Sequence, residues 1–162
     1  MGGDASILVE VGCDVHTGDR AGHVAEDHPM NRILLAYDGT EPAVRALETT
    51  VDLATRFGAA VAVISVIPLH AAPIGVDPWD DREVHEVELR DAQTRLCEHG
   101  VEAELIEPYG EPAVTIERIA AERGFDTIVI GSRGQGAIGR FFGGSVSEHV
   151  VTHSQATVIV TH

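Results

Sequence analysis

The sequence predicts a single α/β domain in which a parallel β-sheet lies between two layers of helices. Two observations predict this class. Short continuous apolar runs, typical of strands buried on both faces, alternate along the chain with longer segments of helical periodicity. Strands that alternate with helices are joined by right-handed crossovers, which make them parallel. The length of 162 residues suits one domain with a conventional hydrophobic core.

Five apolar runs are the predicted strands. The first begins with the apolar run at residues 33–35, and Pro68 ends the second. The third run is more polar than the others, and the last follows a helical segment near the end of the chain. We therefore expect a five-stranded parallel sheet whose strands cover residues 33–37, 60–67, 101–107, 127–130 and 157–161.

Four helices are predicted between these strands, over residues 41–57, 79–99, 111–123 and 145–154. Gly58 and Gly100 follow the first two, as glycine commonly does where a helix ends in the left-handed conformation. Pro112 lies at the start of the third, where its missing N–H costs nothing. We interpret His99 and His149 as surface histidines of these helices.

Residues 1–29 differ in composition from the rest of the chain. Gly, Asp and His are scattered through them with little apolar periodicity, only the short run at residues 7–9 resembles a strand, and Met30 follows directly. We predict that this extension is either a disordered arm or an artefact of an upstream start codon, and that the folded domain covers residues 30–162. The segment contains Cys13 and three histidines, but their spacing matches no zinc pattern.

The chain is strongly acidic, with a formal charge of −15, and all 11 of its basic side chains are arginine. The absence of lysine excludes the lysine-containing phosphate loop and Schiff-base enzymes. The charge disfavours nucleic-acid and membrane partners. It indicates either a halophilic source or an acidic protein from a GC-rich genome. Because Cys13 and Cys97 form no CxxC motif and no targeting segment is visible, we expect a cytoplasmic protein.

The segment after the fourth strand carries the strongest sign of function. Residues 131–145 contain six of the 17 glycines and lead directly into a helix. Backbone N–H groups of such a segment, together with the helix dipole, form a site for anions. Arg133 and Arg140 make the segment locally positive. A structural explanation stays open, because Ser145 and Glu148 have the spacing of a helix capping box.

The spacing of this segment resembles a known family. Gly131, Gly134, Gly144 and Ser145 match G-x2-G-x9-G-[ST], which is the signature of the nucleotide-binding branch of the universal stress proteins. Residues 33–40 resemble the first strand of that family and the aspartate that follows it. The resemblance covers residues 30–162 and implies a flavodoxin-like fold with strand order 3-2-1-4-5.

The resemblance also implies an adenine-nucleotide site for ATP and Mg²⁺, with the metal held mainly by the phosphates. Asp38 would contact the ribose or the metal and phosphates, and Val66 would meet the adenine through its main chain. From the residues alone, Asp38 is equally well explained as a turn or cap residue, and Val66 as a core valine. The implied nucleotide-binding residues are Asp38, Val66, Ile130, Gly131, Arg133, Gly134, Gly144, Ser145, Val146 and Ser147.

The resemblance implies a homodimeric stress-response sensor or regulator that pairs through the strand at 157–161. We expect a binding protein rather than an enzyme, with no catalytic residues and at most slow ATP hydrolysis. Two alternatives stay open, an interaction dimer of the same fold without nucleotide and an enzyme of the related adenine-nucleotide fold. A flavodoxin-type electron carrier is disfavoured, because Asp38 and Glu41 occupy the first loop, where flavin phosphate would bind.

Overall fold

The computed structural model describes residues 30–68, 82–132 and 146–162. The predicted N-terminal extension therefore lies outside the described residues. So do Arg133, Gly134, Gly144 and Ser145 of the predicted nucleotide site, and the predicted start of the second helix. Among the residues that are described, no helix is both long enough and apolar enough to cross a membrane.

The centre of the domain is a five-stranded parallel sheet, as the sequence predicts. Its strands are paired in the order β4-β2-β1-β6-β7, which is the order 3-2-1-4-5 of the five predicted strands. The strands, numbered along the chain with two short additional ones, are β1 (Arg32–Ala36), β2 (Ala60–Ile64), β3 (Ile67–Pro68), β4 (Ala103–Ile106), β5 (Tyr109–Gly110), β6 (Thr127–Gly131) and β7 (Thr157–Thr161).

Two layers of helices cover the sheet. The helices are α1 (Glu41–Phe57), α2 (Arg82–Glu98), α3 (Pro112–Arg123) and α4 (Val146–His153). Alternate side chains of β1 enter opposite cores, because successive residues of a strand point to opposite faces. Leu35 packs with residues of α1 and α2, and Leu34 packs with residues of α3 and α4. The three-layer α/β/α architecture is thereby confirmed.

The predicted second strand is wrong at its end. Residues 60–67 do not form one strand, because β2 ends at Ile64 and β3 pairs with β5 in a separate two-stranded sheet. Ser65 N donates to Ile106 O at 3.1 Å, and Ile67 N donates to Pro108 O at 2.9 Å. In a continuous parallel ladder the next donor would be the N–H of residue 108. Proline has no N–H, so the ladder between β2 and β4 is interrupted at this point, and it resumes in the same register as the pairing of β3 with β5.

Two other predicted boundaries shift because residues act as helix caps. The sequence predicts that a strand begins at Val101, but the N–H of this residue donates to Leu96 O at 3.0 Å and closes the end of α2, so that β4 begins at Ala103. Glu111 precedes α3 instead of opening it. Its carboxylate accepts hydrogen bonds from Ala113 N and Val114 N, which satisfies donors that have no partner inside the helix.

Candidate functional site

The order of the strands makes β1 a switch point, beside which open parallel sheets have a crevice. The chain continues from β1 to β2 on one side of the sheet, whereas β6 pairs on the other side. Ligands of open parallel sheets bind at such a switch point, beyond the carboxyl ends of the strands. Asp38 follows β1 at this edge, Val66 follows β2, and Gly131 ends β6. The structure thus places these three predicted residues at the same edge of the sheet.

Asp38 is held by the turn that leads from β1 into α1. Its Oδ1 accepts hydrogen bonds from Thr40 N at 3.1 Å and from Thr40 Oγ1 at 2.5 Å. Gly39 between them has a φ of 69°, a left-handed conformation that glycine adopts without strain. The turn explanation for Asp38 is therefore correct. The turn also leaves this carboxylate exposed at the carboxyl edge of the sheet.

Gly131 lies against the first turn of α1. A Cβ atom at this position would lie 2.5 Å from Pro42 O and 2.7 Å from Ala43 N, which are both main-chain atoms. The same turn is bound by Thr161, whose Oγ1 donates to Pro42 O at 3.2 Å. Close packing alone therefore requires glycine at residue 131. Its contact with a nucleotide stays a prediction.

A buried polar cluster that the sequence analysis missed borders the Asp38 turn. Ser65 Oγ lies 2.7 Å from His85 Nδ1 and 3.2 Å from Glu88 Oε2, and the hydroxyl is buried. A Cβ atom on Gly39 would lie 3.2 Å from Glu88 Cγ, so Glu88 extends to the turn that holds Asp38. Helical spacing in the sequence could have indicated this cluster. His85 lies one turn before the buried Leu89 on α2, and therefore on the same buried side of the helix.

The cluster has an unusual carboxyl group. The pKa of Glu88 is raised to about 7, mainly because the carboxyl group is buried; the hydrogen bond from Ser65 acts to lower it, and the negative charge of Asp38 acts to raise it. A hydroxyl has one proton, so when Ser65 donates to Glu88, the Nδ1–H of His85 is the donor to Ser65. Glu88 therefore changes its charge near neutral pH directly beside the candidate site.

A second network attaches α2 to the end of β1. Tyr37 Oη donates to Asp91 Oδ2 at 2.7 Å, and Arg95 Nε donates to the same oxygen at 2.9 Å. Burial raises the pKa of Tyr37, and the hydrogen bond to Asp91 raises it further. Partial burial of the Asp91 carboxylate acts to raise its pKa. The hydrogen bonds from Tyr37 and Arg95 outweigh this effect and hold the pKa below its usual range. The residue before Asp38 is thereby fixed in place.

Comparison with known proteins decides the family. The sequence profile described as the universal stress protein family matches residues 30–162. The chain belongs to the universal stress protein family. The curated universal stress protein YxiE of Bacillus subtilis is 30% identical over 145 residues, which are 81% of this chain and 98% of that protein.

Solved structures agree with this assignment. The universal stress protein UspA of Lactobacillus plantarum has a TM-score of 0.64 and 26% identity, and the match covers 82% of this chain and 97% of that one. The universal stress protein of Archaeoglobus fulgidus in complex with dAMP has a TM-score of 0.65 and 24% identity. That match covers 82% of this chain and 98% of the other. These likenesses confirm the fold class of the sequence analysis.

In this universal stress protein domain the remaining predicted residues differ in exposure. Val66 and Ile130 are buried in the core beneath α3 and α4. Val146 and Ser147 form the first turn of α4, directly after the glycine-rich segment, and Ser147 is buried. The structure brings β1, β2, β6 and the start of α1 together at one edge, where the family resemblance implies the nucleotide.

Proposed function

We propose that this chain binds an adenine nucleotide, ATP with Mg²⁺, across the carboxyl ends of β1 and β6, and that it acts as a dimeric stress-response sensor. The observation that carries the proposal is the juxtaposition of Asp38 and Gly131 at the switch point. A carboxylate stands on one side of the crevice, and on the other the chain enters the glycine-rich segment. Open parallel sheets bind nucleotides in this arrangement.

Two further observations support the choice of ligand. The A. fulgidus relative is described in complex with dAMP, an adenine nucleotide. The chain also carries the complete glycine signature at Gly131, Gly134, Gly144 and Ser145. In the proposal, backbone N–H groups of this segment and of the first turn of α4 hold the ribose and phosphates. The main chain of Val66 meets the adenine.

The residues present fit a magnesium ion that arrives with the nucleotide. Mg²⁺ prefers oxygen ligands and is commonly held by one or two carboxylates together with substrate phosphates. Asp38 is an exposed carboxylate that the Thr40 turn already orients. Asp38 therefore supplies the protein's oxygen ligand, or it contacts the ribose. The sensor role requires binding only, and hydrolysis is slow or absent.

Thermal unfolding of the full chain with Mg²⁺ and increasing ATP tests this proposal. ATP at about 100 times its dissociation constant raises the stability by roughly 2.7 kcal/mol. Asp38→Asn and Gly134→Val are each expected to reduce this stabilisation. Asp52→Asn, on the exposed part of α1, is the matched control and leaves it unchanged.

Two results would contradict the proposal. No stabilisation at any ATP concentration favours an interaction dimer without nucleotide. Release of phosphate over many turnovers, abolished by Asp38→Asn, makes the protein an enzyme of the related fold.

The edge strand β7 supports the dimer. β7 pairs with β6 on one side, and among the described strands none pairs with its other side. Its residues Val158–Val160 are apolar and only partly buried. Such an edge is suited to pair antiparallel with the same strand of a second copy, which buries both. We therefore propose pairing through residues 157–161.

The direction of the β7 backbone allows a selective test. Thr157 N donates inward to Asp126 O, so the alternating pattern turns the N–H of Val158 outward. Val158→Pro should remove an outward donor and reduce the dimer fraction in sedimentation velocity, while Ile159→Pro should break the β6 ladder and unfold the domain. A folded Val158→Pro protein with unchanged dimerisation contradicts this interface.

A further inference from the structure

A cluster of potential metal ligands lies between α3 and α4, on the opposite face of the sheet from α2. His149 and His153 are four residues apart on α4 and therefore share one side of the helix. Glu117 extends towards them from α3. The ligating atoms of the three side chains all lie within 4.8 Å of one another. Two histidines at this helical spacing are a common half of a zinc site.

The hydrogen bond of His153 determines which of its ring nitrogens can bind a metal. Its Nδ1 lies 2.9 Å from the carbonyl oxygen of His149. A carbonyl only accepts hydrogen bonds, so Nδ1 carries the proton and the neutral ring keeps its lone pair on Nε2. Histidines that bind metals usually donate their other N–H to a carbonyl or carboxylate in this way. The structure therefore presents Nε2 of His153 as a ligand.

The carboxylate of Glu117 needs a positive partner. Its side chain is 19% exposed, and the buried Oε1 accepts no hydrogen bond in the described part of the chain. This oxygen lies 3.6 Å from Nε2 of His149. The next residue, Arg118, donates to the carboxylate of Glu122 at 2.8 Å and therefore pairs with that group rather than with Glu117. A buried acceptor without a donor is unfavourable, and a cation would relieve it.

The two imidazole rings are stacked next to each other. Their centroids are 4.2 Å apart and their planes differ by 24°. Two protonated rings at this separation would repel each other, whereas neutral rings can donate lone pairs to the same cation. The competing explanation is an ion pair between a protonated His149 and Glu117, with His153 as a stacking neighbour only.

We propose that Glu117, His149 and His153 bind a divalent transition-metal ion, and that the ion is zinc. Two imidazole nitrogens and one carboxylate oxygen are a known set of three protein ligands for Zn²⁺, with water in the fourth position. Calcium and magnesium prefer ligand sets made of oxygen. The bound ion would join α3 to α4, the helix that follows the glycine-rich segment. This site is separate from the proposed nucleotide site and does not depend on it.

Zinc titration of the full chain by calorimetry, after treatment with a chelator, tests the proposal. His153→Gln and Glu117→Gln should each weaken one zinc-binding event by at least about tenfold. His99→Gln is the matched control, because the Nδ1 of His99 likewise lies 2.8 Å from the carbonyl of Arg95, on α2. This control should leave the affinity unchanged. Thermal unfolding without metal shows that each variant is folded.

Cobalt substitution distinguishes this site from other zinc-binding groups of the chain. A site of two histidines and one glutamate gives the visible absorption of tetrahedral cobalt without a thiolate-to-cobalt charge-transfer band. Loss of the visible bands in His153→Gln supports the proposal. The proposal is overturned if the wild-type protein binds no zinc, if the variants bind it as tightly as the wild type, or if a thiolate band shows that a cysteine holds the ion.

Discussion

The two ends of the central sheet use aspartate in opposite ways. At the amino end, Asp126 Oδ2 accepts hydrogen bonds from Asn31 N at 2.8 Å and Arg32 N at 3.0 Å, and Oδ1 accepts one from Thr127 Oγ1 at 2.9 Å. This carboxylate joins β6 to the start of β1. At the carboxyl end, Asp38 is bound by its own turn and stands exposed at the crevice.

The difference indicates different roles for the two ends, folding at the amino end and, in the proposed function, nucleotide binding at the carboxyl end. The amino end satisfies the backbone donors at the start of β1 with the protein's own carboxylate. At the carboxyl end two acidic groups, Asp38 and Glu88, lie close together. Burial of Glu88 and the negative charge of Asp38 both contribute to raising the pKa of Glu88 to about 7. Such perturbed groups concentrate at functional sites. Substitutions at the amino end should therefore affect folding, and most of those at the carboxyl end should affect binding.

Gly131→Ala lies at the carboxyl end but should destabilise the fold more than a substitution of Asp126, Glu88 or Asp38. The new methyl group would overlap the main chain of Pro42 and Ala43. Overpacking against main-chain atoms should lower the free energy of unfolding by about 3 kcal/mol or more. Chemical denaturation measures this loss. Gly58→Ala is the control, because its φ of 66° strains alanine but its Cβ meets open space, and it should cost about 1 kcal/mol. Equal losses would show that the packing at Gly131 is unimportant.

Asp126→Ala should destabilise the protein by about 2 kcal/mol. The substitution leaves the N–H groups of Asn31 and Arg32 without their carboxylate partner, and hydrogen bonds to charged groups are stronger than neutral ones. Urea denaturation measures the change, and Asp52→Ala on the exposed side of α1 serves as the control. ATP stabilisation of the folded fraction should be unchanged. A selective loss of ATP binding would contradict the division between the two ends.

Glu88→Gln should change how stability depends on pH. The folded-state pKa of Glu88 is about 7, above the value of 4.5 for an ordinary glutamate. The folded protein therefore holds this proton more tightly than the unfolded chain. The stability contributed by the protonated carboxyl is fully present below about pH 4.5 and is lost as the pH rises through about 7. Glutamine does not titrate.

We therefore expect the wild type to lose about 2 kcal/mol relative to Glu88→Gln between about pH 5 and pH 8. Denaturation curves at both pH values measure this difference independently of any constant offset between the two proteins. Asp38 and His85 are the titratable neighbours of Glu88 and are present in both proteins. Glu98→Gln, exposed on the same helix, is the control. Parallel pH profiles of wild type and Glu88→Gln would refute the raised pKa.

Asp38→Asn should have the smallest effect on folding. Asparagine keeps a side-chain oxygen that can accept from Thr40 N, so the turn survives and the stability should change by less than about 0.5 kcal/mol. Its proposed interaction with the nucleotide is electrostatic and should weaken. Denaturation without ligand, compared with ATP titration, separates the two effects. A large loss of stability without ligand would make Asp38 a structural residue like Asp126.

Local sequence predicted the architecture well, because the patterns that define it are local. The run at residues 33–35 and the buried stripe of Leu89, Ala92 and Leu96 on α2 are visible without any tertiary information, and all are buried in the structure. The break after β2 was missed. It depends on Pro108 being opposite Val66 across the sheet, where an N–H at residue 108 would donate to Ser65 O, and this register appears only when the strands pair.

The sequence by itself determined the order of helices and strands, the family, and the positions of Asp38 and Gly131 at the carboxyl ends of strands. Each of these features depends on residues that are close together in the sequence. Only the tertiary structure decided which distant side chains meet. It brought His85 and Glu88 to Ser65, and Glu117 to His149, through the packing of helices on the sheet. It also showed that residue 131 must be glycine, because the first turn of α1 packs against it. Contacts between distant segments depend on how helices cross the sheet, and no local pattern specifies that geometry.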